Sequence, residues 1–82
     1  MEIKEVKVKS FGEILIGVDY AQPQETEVYI VKKQFAELAD KLKDNYNENR
    51  SPTKSLLFDH AIGELVNAQM AIVKVLTFKT EE

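Results

Sequence analysis

The stretch that decides the fold runs from Ser51 to Phe78 and reads SPTKSLLFDHAIGELVNAQMAIVKVLTF. Ser51 followed by Pro52 is a strong helix start, because a serine oxygen accepts a first-turn N–H and proline at the first helical position loses no hydrogen bond. After Pro52, Gly63 is the one glycine or proline in the rest of the chain. The stretch therefore predicts a helix from Pro52 to Phe78, about 40 Å long.

The apolar residues of this predicted helix form two adjacent stripes, too wide an arc for one partner helix to cover. We therefore expect a second subunit, the N-terminal segment, or both to cover the rest. The tail from Val73 to Phe78 is rich in β-branched residues, which leaves a terminal strand as the alternative. The first stripe contains Phe58, Ala61, Leu65, Ala68, Ile72 and Val75 with Leu76, and the second contains Ile62, Val66 and Val73.

A second helix is predicted upstream, beginning after Thr26, whose hydroxyl can accept a first-turn N–H. Apolar residues recur there at spacings of three and four, which is typical of one helix face. The β-branched run from 27 to 31 leaves a strand as the alternative, and the asparagines at 45, 47 and 49 end the helix. The recurring residues are Val28, Val31, Phe35, Leu38, Leu42 and Tyr46.

The first 20 residues favour β structure. Apolar and charged residues alternate over the first nine positions, Ser10 to Gly12 can form a tight turn, and a largely β-branched run, Ile14 to Val18, follows. The predicted fold class is α+β. A single domain, residues 1–82, has an N-terminal β-hairpin over 1–20 followed by an antiparallel two-helix hairpin over 26–78. A two-stranded hairpin is marginal alone, so the protein is expected to be oligomeric.

Composition excludes several classes of function. The 82 residues include 11 Lys and Arg against 14 Asp and Glu, for a net charge of −3, and they include no cysteine and one histidine. Without cysteine there is no disulfide framework and no thiolate metal site. The acidic balance argues against polymeric nucleic acid as a partner. No apolar run reaches the roughly 18 residues of a membrane span, and no signal peptide is evident, so we expect a cytoplasmic protein without a membrane partner.

The chain offers little catalytic chemistry. Its glycines, at 12, 17 and 63, are too far apart to cradle a phosphate. Asp59 and His60 are adjacent on a helix and point about 100° apart, so they are not a natural acid–base pair. We expect no enzyme activity, no catalytic residue, no metal site and no cofactor.

Binding features are better represented. Tyr20 lies on a connector before Pro23, where an aromatic ring can stack on a base or close the end of the hairpin. Lys32 and Lys33 can meet a phosphate or form a solvated face, and Arg50 can bind phosphate or solvate the interhelical turn. Tyr46 fits core packing, whereas Tyr29 is off the main stripe and could be exposed.

Both predicted helices contain a pattern that resembles a known family. The sequence from Val31 to Asp40 reads VKKQFAELAD, and the sequence from Ala61 to Thr77 reads AIGELVNAQMAIVKVLT. These resemble the helical-hairpin domain of small phage proteins that include anti-CBASS and anti-Thoeris sponges. Ala71 stands at the family's tryptophan, Val66-Asn67 stands at its acidic pair, and residues 1–19 lie outside the match. The matching residues are Ala36, Glu37, Leu38, Ala68, Met70, Val73, Lys74 and Thr77.

The resemblance implies a sponge for cyclic nucleotide immune signals. Such proteins bind cyclic di- or trinucleotides, or cyclic ADP-ribose variants, between protomers without cleaving them. By the resemblance, Tyr20 would stack on the base and Lys32 would meet the phosphate. The alternative is a small oligomeric structural or protein-interaction module of phage origin with no nucleotide ligand. The further candidate ligand-binding residues are Lys33, Arg50, Thr53, Lys54 and Ser55.

Overall fold

A computed structural model describes residues 8–19 and 26–79, and this part of the chain forms three helices and no strand. They are α1 over Phe11–Ile16, α2 over Glu27–Glu48 and α3 over Pro52–Thr77. α2 and α3 form an antiparallel hairpin: Tyr46 stacks on Phe58 beside the turn, and Lys32 lies beside Lys74 at the other end. The predicted helical hairpin is thus present.

α2 begins at the predicted cap. The backbone N–H of Tyr29 donates to the hydroxyl oxygen of Thr26 over 3.2 Å, which satisfies one of the free donors of the first turn. Residues 28–31 are helical, so the strand alternative for them is wrong. The helix ends at Asn49, whose N–H donates to the carbonyl of Tyr46.

α3 also begins as predicted and continues through the tail. Ser51 Oγ accepts the N–H of Lys54 over 3.1 Å, and Pro52 occupies the first turn. The helix continues to Thr77, and Phe78 is its C-cap residue. The terminal strand considered for residues 73–78 is therefore wrong, because an uninterrupted helix keeps every backbone donor there in i→i−4 bonds.

The predicted α+β class with an N-terminal β-hairpin is wrong. Residues 1–7 and 20 lie outside the described residues, but Phe11–Ile16, expected as a turn and strand, is α1. Ser10 and Glu13 form a capping box: Ser10 Oγ accepts the Glu13 N–H, and Glu13 Oε1 accepts the Ser10 N–H. Gly17 then ends the helix with a left-handed φ of 80°. The capping bonds and the docking on α2 outweigh the β preference of Ile14–Ile16.

α1 packs against α2 at very close range. A Cβ atom added at Gly12 would overlap the carbonyl oxygen of Ala36, so glycine is required at this crossing. The Gly12 N–H donates to Asp40 Oδ1 over 2.6 Å, which ties the start of α1 to α2.

The contact between α1 and α2 creates much of the core. Tyr29, which lies off the main apolar stripe and could have been exposed, is buried with 8% of its surface accessible. The buried apolar residues are Ile16, Val18, Tyr29, Ala36, Ala39 and Leu65.

Within residues 8–19 and 26–79, no helix combines the length and apolar character that crossing a membrane requires. The grooves that could bind a ligand lie on the exposed surface of the helices.

Candidate functional site

The predicted binding residues do not form one site. Tyr20 lies outside the described residues. Lys32 faces a groove at the end of the hairpin remote from the turn, whereas Arg50, Thr53 and Lys54 lie at the turn itself. From Lys32 to Tyr46, beside the turn, is about 21 Å along α2, so one small ligand cannot touch both groups.

The groove that contains Lys32 brings all three helices together. It has a volume of about 450 Å³ and is open to solvent on one side. Because it carries Lys32 from α2 and Lys74 from α3, we call it the lysine groove. Its lining residues are Ile16, Lys32, Gln69, Met70, Val73, Lys74 and Thr77.

Helix geometry places the α3 side chains of the lysine groove on one face. Four of these residues begin with Met70, and the other three follow it after three, four and seven positions, which places all four on the same side of the helix. The three are Val73, Lys74 and Thr77. Gln69 forms the floor with 5% of its surface accessible. The hydroxyl of Thr77 donates to the carbonyl of Val73 over 2.9 Å, so its oxygen can still accept a hydrogen bond.

The charge in the lysine groove is positive. Its lining contains two ammonium groups and no carboxylate. Met70, 61% exposed, and the adjacent Ile16 and Val73 supply apolar surface beside these charges. The arrangement can hold an anionic group at the lysines and an apolar or aromatic group against the methionine, whose thioether packs well on aromatic rings.

Lys33, the neighbour of Lys32, has a different role. Its Nζ lies 3.2 Å from Glu13 Oε2, so it joins α1 to α2. The pKa of Glu13 is lowered mainly by the hydrogen bond from the backbone N–H of Ser10, with Lys33 adding to the effect and burial opposing it. Lys33 therefore forms an ion pair between two helices, and its contact with a ligand stays a prediction.

A second, apolar groove lies at the turn between α2 and α3. This turn groove has a volume of about 380 Å³. Ser55 is half-buried on α3 and is not part of the lining of the turn groove. The Arg50 side chain is also outside this lining and donates a hydrogen bond to Asn47 Oδ1 over 3.0 Å. Lys54 Nζ approaches the carbonyl of Asn45 at 3.5 Å. The lining consists of Leu42, Asn45, Tyr46, Ser51, Thr53, Lys54, Leu57, Phe58 and Ala61.

An aromatic cluster beside the turn groove surrounds a lysine of the chain itself. Tyr46 and Phe58 stack with ring centroids 4.8 Å apart, and Phe11 lies 6.3 Å from Phe58. Lys43 Nζ is 5.3 to 5.8 Å from the centroids of all three rings. These are cation–π distances, so the rings are engaged by Lys43 and the cluster joins α1, α2 and α3.

Sequence reasoning singled out Lys32 but not its partners in the groove. Lys74 and Met70 were quoted only as matches to the resembled pattern, and Gln69 was not considered. The signal that could have found them is the antiparallel pairing itself, which places the last turns of α3 beside the first turns of α2.

Neither a metal site nor a similar known protein indicates which class of function the chain has. In the part of the chain that the structure describes, no three His, Asp or Glu side chains are grouped to hold a metal ion. No protein-family model, curated protein or solved structure matches the chain. The argument about function therefore depends on the chemistry of the grooves and on the residues quoted for the resemblance.

Proposed function

We propose that the protein captures a cyclic nucleotide in the lysine groove and holds it without cleaving it, acting as a sponge for a nucleotide signal. The observation that carries the proposal is the joint presence of Lys32 and Lys74, from different helices, in one groove with apolar Met70. A nucleotide has the complementary composition of anionic phosphate and flat, polarisable base.

The size of the groove is consistent with this ligand class. About 450 Å³ lies within the roughly 300–1,000 Å³ range of small-molecule sites. A phosphate between two lysines gains charge-assisted hydrogen bonds, which are roughly twice as strong as neutral ones. The side chains of Gln69 and Thr77 add polar partners that can recognise the edge of a base or a sugar hydroxyl.

The resemblance supports the same groove. Four of the α3 residues that match the sponge pattern line it, and Lys32, to which the resemblance assigns the phosphate, lies opposite them. Those four residues are Met70, Val73, Lys74 and Thr77.

The test is calorimetric titration of the protein with cyclic dinucleotides, cyclic trinucleotides and cyclic ADP-ribose isomers. Replacing Lys32 or Lys74 with glutamine should weaken binding of the best ligand by about tenfold or more, since a hydrogen bond to a charged group contributes about 1.5–3 kcal/mol. Lys41→Gln is the matched control, because Lys41 is an exposed lysine of α2 outside the groove. The proposal fails if nothing in the panel binds, or if Lys41→Gln weakens binding as much as Lys32→Gln.

A second candidate function is the structural or interaction module without a nucleotide ligand. One observation favours it: α3 exposes large apolar side chains, among them Leu57, Val75 and Phe78, at 64%, 75% and 69% of their surface. The calorimetric panel separates the two candidates, because a pure interaction module gives no heat with any nucleotide.

A further inference from the structure

Three exposed apolar residues on α3 and at its end, Leu57, Val75 and Phe78, lie on a seven-residue repeat whose other positions are three alanines, a lysine and a glutamate. Successive members are alternately three and four residues apart, which is the spacing of a coiled-coil seam. We call this set the heptad stripe. Its middle lies about 130° around the helix from the buried Gln69. α2 approaches the N-terminal end of the stripe at the turn groove and leaves the rest exposed. Its members are Lys54, Leu57, Ala61, Glu64, Ala68, Ala71, Val75 and Phe78.

A surface depression lies at each end of the heptad stripe. Near the C-terminal end, Ala71, Lys74, Val75 and Phe78 surround a depression of about 320 Å³, which we call the C-terminal hollow. In a coiled coil, each side chain of the seam inserts into a hole formed by four residues of the facing helix. The C-terminal hollow has the i, i+3, i+4, i+7 composition of such a hole.

The α3 side of the turn groove has the same composition. It is formed by Lys54, Leu57, Phe58 and Ala61, which are again spaced i, i+3, i+4 and i+7. The first hole therefore lies near the start of α3 and the second near its end, and each contains an exposed apolar residue of the heptad stripe, Leu57 or Val75.

We propose that two copies of this chain pack antiparallel along their heptad stripes, with Leu57 of each copy inserted into the C-terminal hollow of the other. The same register inserts the partner's Val75 into the hole at Lys54–Ala61 without further adjustment. It also sets Ala61 against the partner's Ala71, and these small side chains let the two helices approach closely. Both hollows are filled by one symmetric arrangement.

Charge selects the antiparallel orientation. In a parallel pair, Glu64 would face the partner's Glu64 and Lys54 the partner's Lys54, and like charges at short range repel. In the antiparallel register, Glu64 faces Ala68, and Lys54 lies against the aromatic ring of Phe78, where a cation–π contact is favourable. The two Glu64 carboxylates are then about 6 Å apart along the helices, one turn from each other, and reach solvent at the edge.

The contact area is that of a weak dimer. α3 has 26 residues and is about 39 Å long. A strip about 10 Å wide on each copy buries roughly 800 Å² in total, which is the size of a weak, concentration-dependent contact. Lys74 lines both the lysine groove and the C-terminal hollow, whereas Leu57 lines neither. The dimer therefore goes beyond the proposed nucleotide capture, and a substitution at Leu57 changes no residue of the lysine groove.

The test is sedimentation equilibrium of the full chain up to about 100 µM, a range in which mass action reveals a weak dimer. The wild-type protein should be dimeric, and Leu57→Asp should raise the dimer Kd by more than about tenfold, because a buried unpaired charge is costly. Leu56→Asp is the matched control: Leu56 is 73% exposed and off the stripe, so this variant should dimerise normally. A wild-type monomer, or equal loss in both variants, overturns the proposal.

Cross-linking tests the orientation, because the chain has no cysteine of its own. A mixture of Leu57→Cys and Val75→Cys chains should form a disulfide-linked heterodimer on mild oxidation, and Leu57→Cys alone should not cross-link efficiently. Efficient cross-linking of Leu57→Cys to itself would instead indicate a parallel or different dimer and would contradict the register. Nucleotide binding by Leu57→Asp is measured separately, so failure of either proposal can be told from failure of the other.

Discussion

Replacing Gly12 with alanine is the substitution whose effect the structure determines most sharply. On helix propensity alone, alanine is about 1 kcal/mol better than glycine in a helix, which predicts a more stable protein. The packing of α1 predicts the opposite. An added Cβ atom would overlap the carbonyl oxygen of Ala36 and would lie 2.7 Å from the carbonyl carbon. These are backbone atoms of α2, which no side-chain rotation can move away.

The size of the effect follows from what α1 must give up. Relieving the overlap moves α1 away from α2, which loosens the burial of Ile16 and Val18 and weakens the hydrogen bond from Gly12 N–H to Asp40. Overpacking alone costs about 1–3 kcal/mol. With partial loss of the burial and subtraction of the propensity gain, we expect a decrease of about 2–3 kcal/mol in the free energy of unfolding. This corresponds to roughly 10–20 °C in Tm for a domain of this size.

Gly63→Ala is the matched control, because Gly63 lies in the middle of α3 with nothing within 4 Å of an added Cβ atom. It should raise the free energy of unfolding by about 0.5–1 kcal/mol. Both variants are compared with wild type by urea unfolding, followed by circular dichroism at one fixed chain concentration. The packing account of α1 is wrong if Gly12→Ala is as stable as Gly63→Ala.

Two further predictions concern contacts of α1 and the turn. The pKa of Glu13 is lower in the folded protein than its ordinary value of 4.5. The stabilisation that ionised Glu13 gives the folded state is therefore complete above the unfolded-state pKa, and it is lost as the pH falls through the lower folded-state pKa. Glu13→Gln should therefore lower the free energy of unfolding by about 1–2 kcal/mol at pH 7, and this difference from wild type should shrink as the pH falls. Urea unfolding at several pH values measures it. Glu37→Gln, at an exposed site, is the control, and its difference from wild type should not change with pH. Lys43→Met keeps the apolar stem but removes the ammonium from the three rings, and should lower the free energy of unfolding by about 1 kcal/mol. Urea unfolding with Lys41→Met as control checks this, and an unchanged or higher stability would show that the rings do not need the cation.

Local sequence signals were enough to predict the two long helices, α2 and α3. Thr26 and the Ser51-Pro52 pair act as the caps that their chemistry predicts, and the spacing of apolar residues between them gives the correct helix type. These signals are reliable because capping and periodicity depend on residues within a few positions of one another.

The N-terminal segment was predicted incorrectly for a physical reason. Ile14-Leu15-Ile16 favours a strand locally, and the capping-box signature of Ser10 and Glu13 was not weighed against it. The contacts that decide the outcome are tertiary. Gly12 against Ala36 and Lys33 against Glu13 join residues 20 or more positions apart, so no local pattern displays them.

The candidate site was predictable only in part. Lys32 lies in the lysine groove and its contact with a phosphate stays a prediction, whereas Arg50, Thr53 and Lys54 are separated from it by most of the length of the hairpin. Which cations share one groove depends on the pairing of α2 with α3, and a single sequence shows the faces of each helix but not their register. The burial of Tyr29 illustrates the same limit, because the unpredicted α1 contributes to the core that encloses it.

The central claim is capture of a cyclic nucleotide without turnover, and a depletion-and-recovery measurement tests it most directly. Each nucleotide of the panel is incubated with a small molar excess of protein, the free fraction is separated by filtration, and the protein is then denatured by heat. Mass spectrometry quantifies the nucleotide in both fractions. The account predicts that one nucleotide disappears from the filtrate and is recovered intact after denaturation, and that Lys32→Gln combined with Lys74→Gln leaves it in the filtrate. Full recovery of every nucleotide in the filtrate of the wild-type protein, or recovery of a cleaved product, would contradict the account.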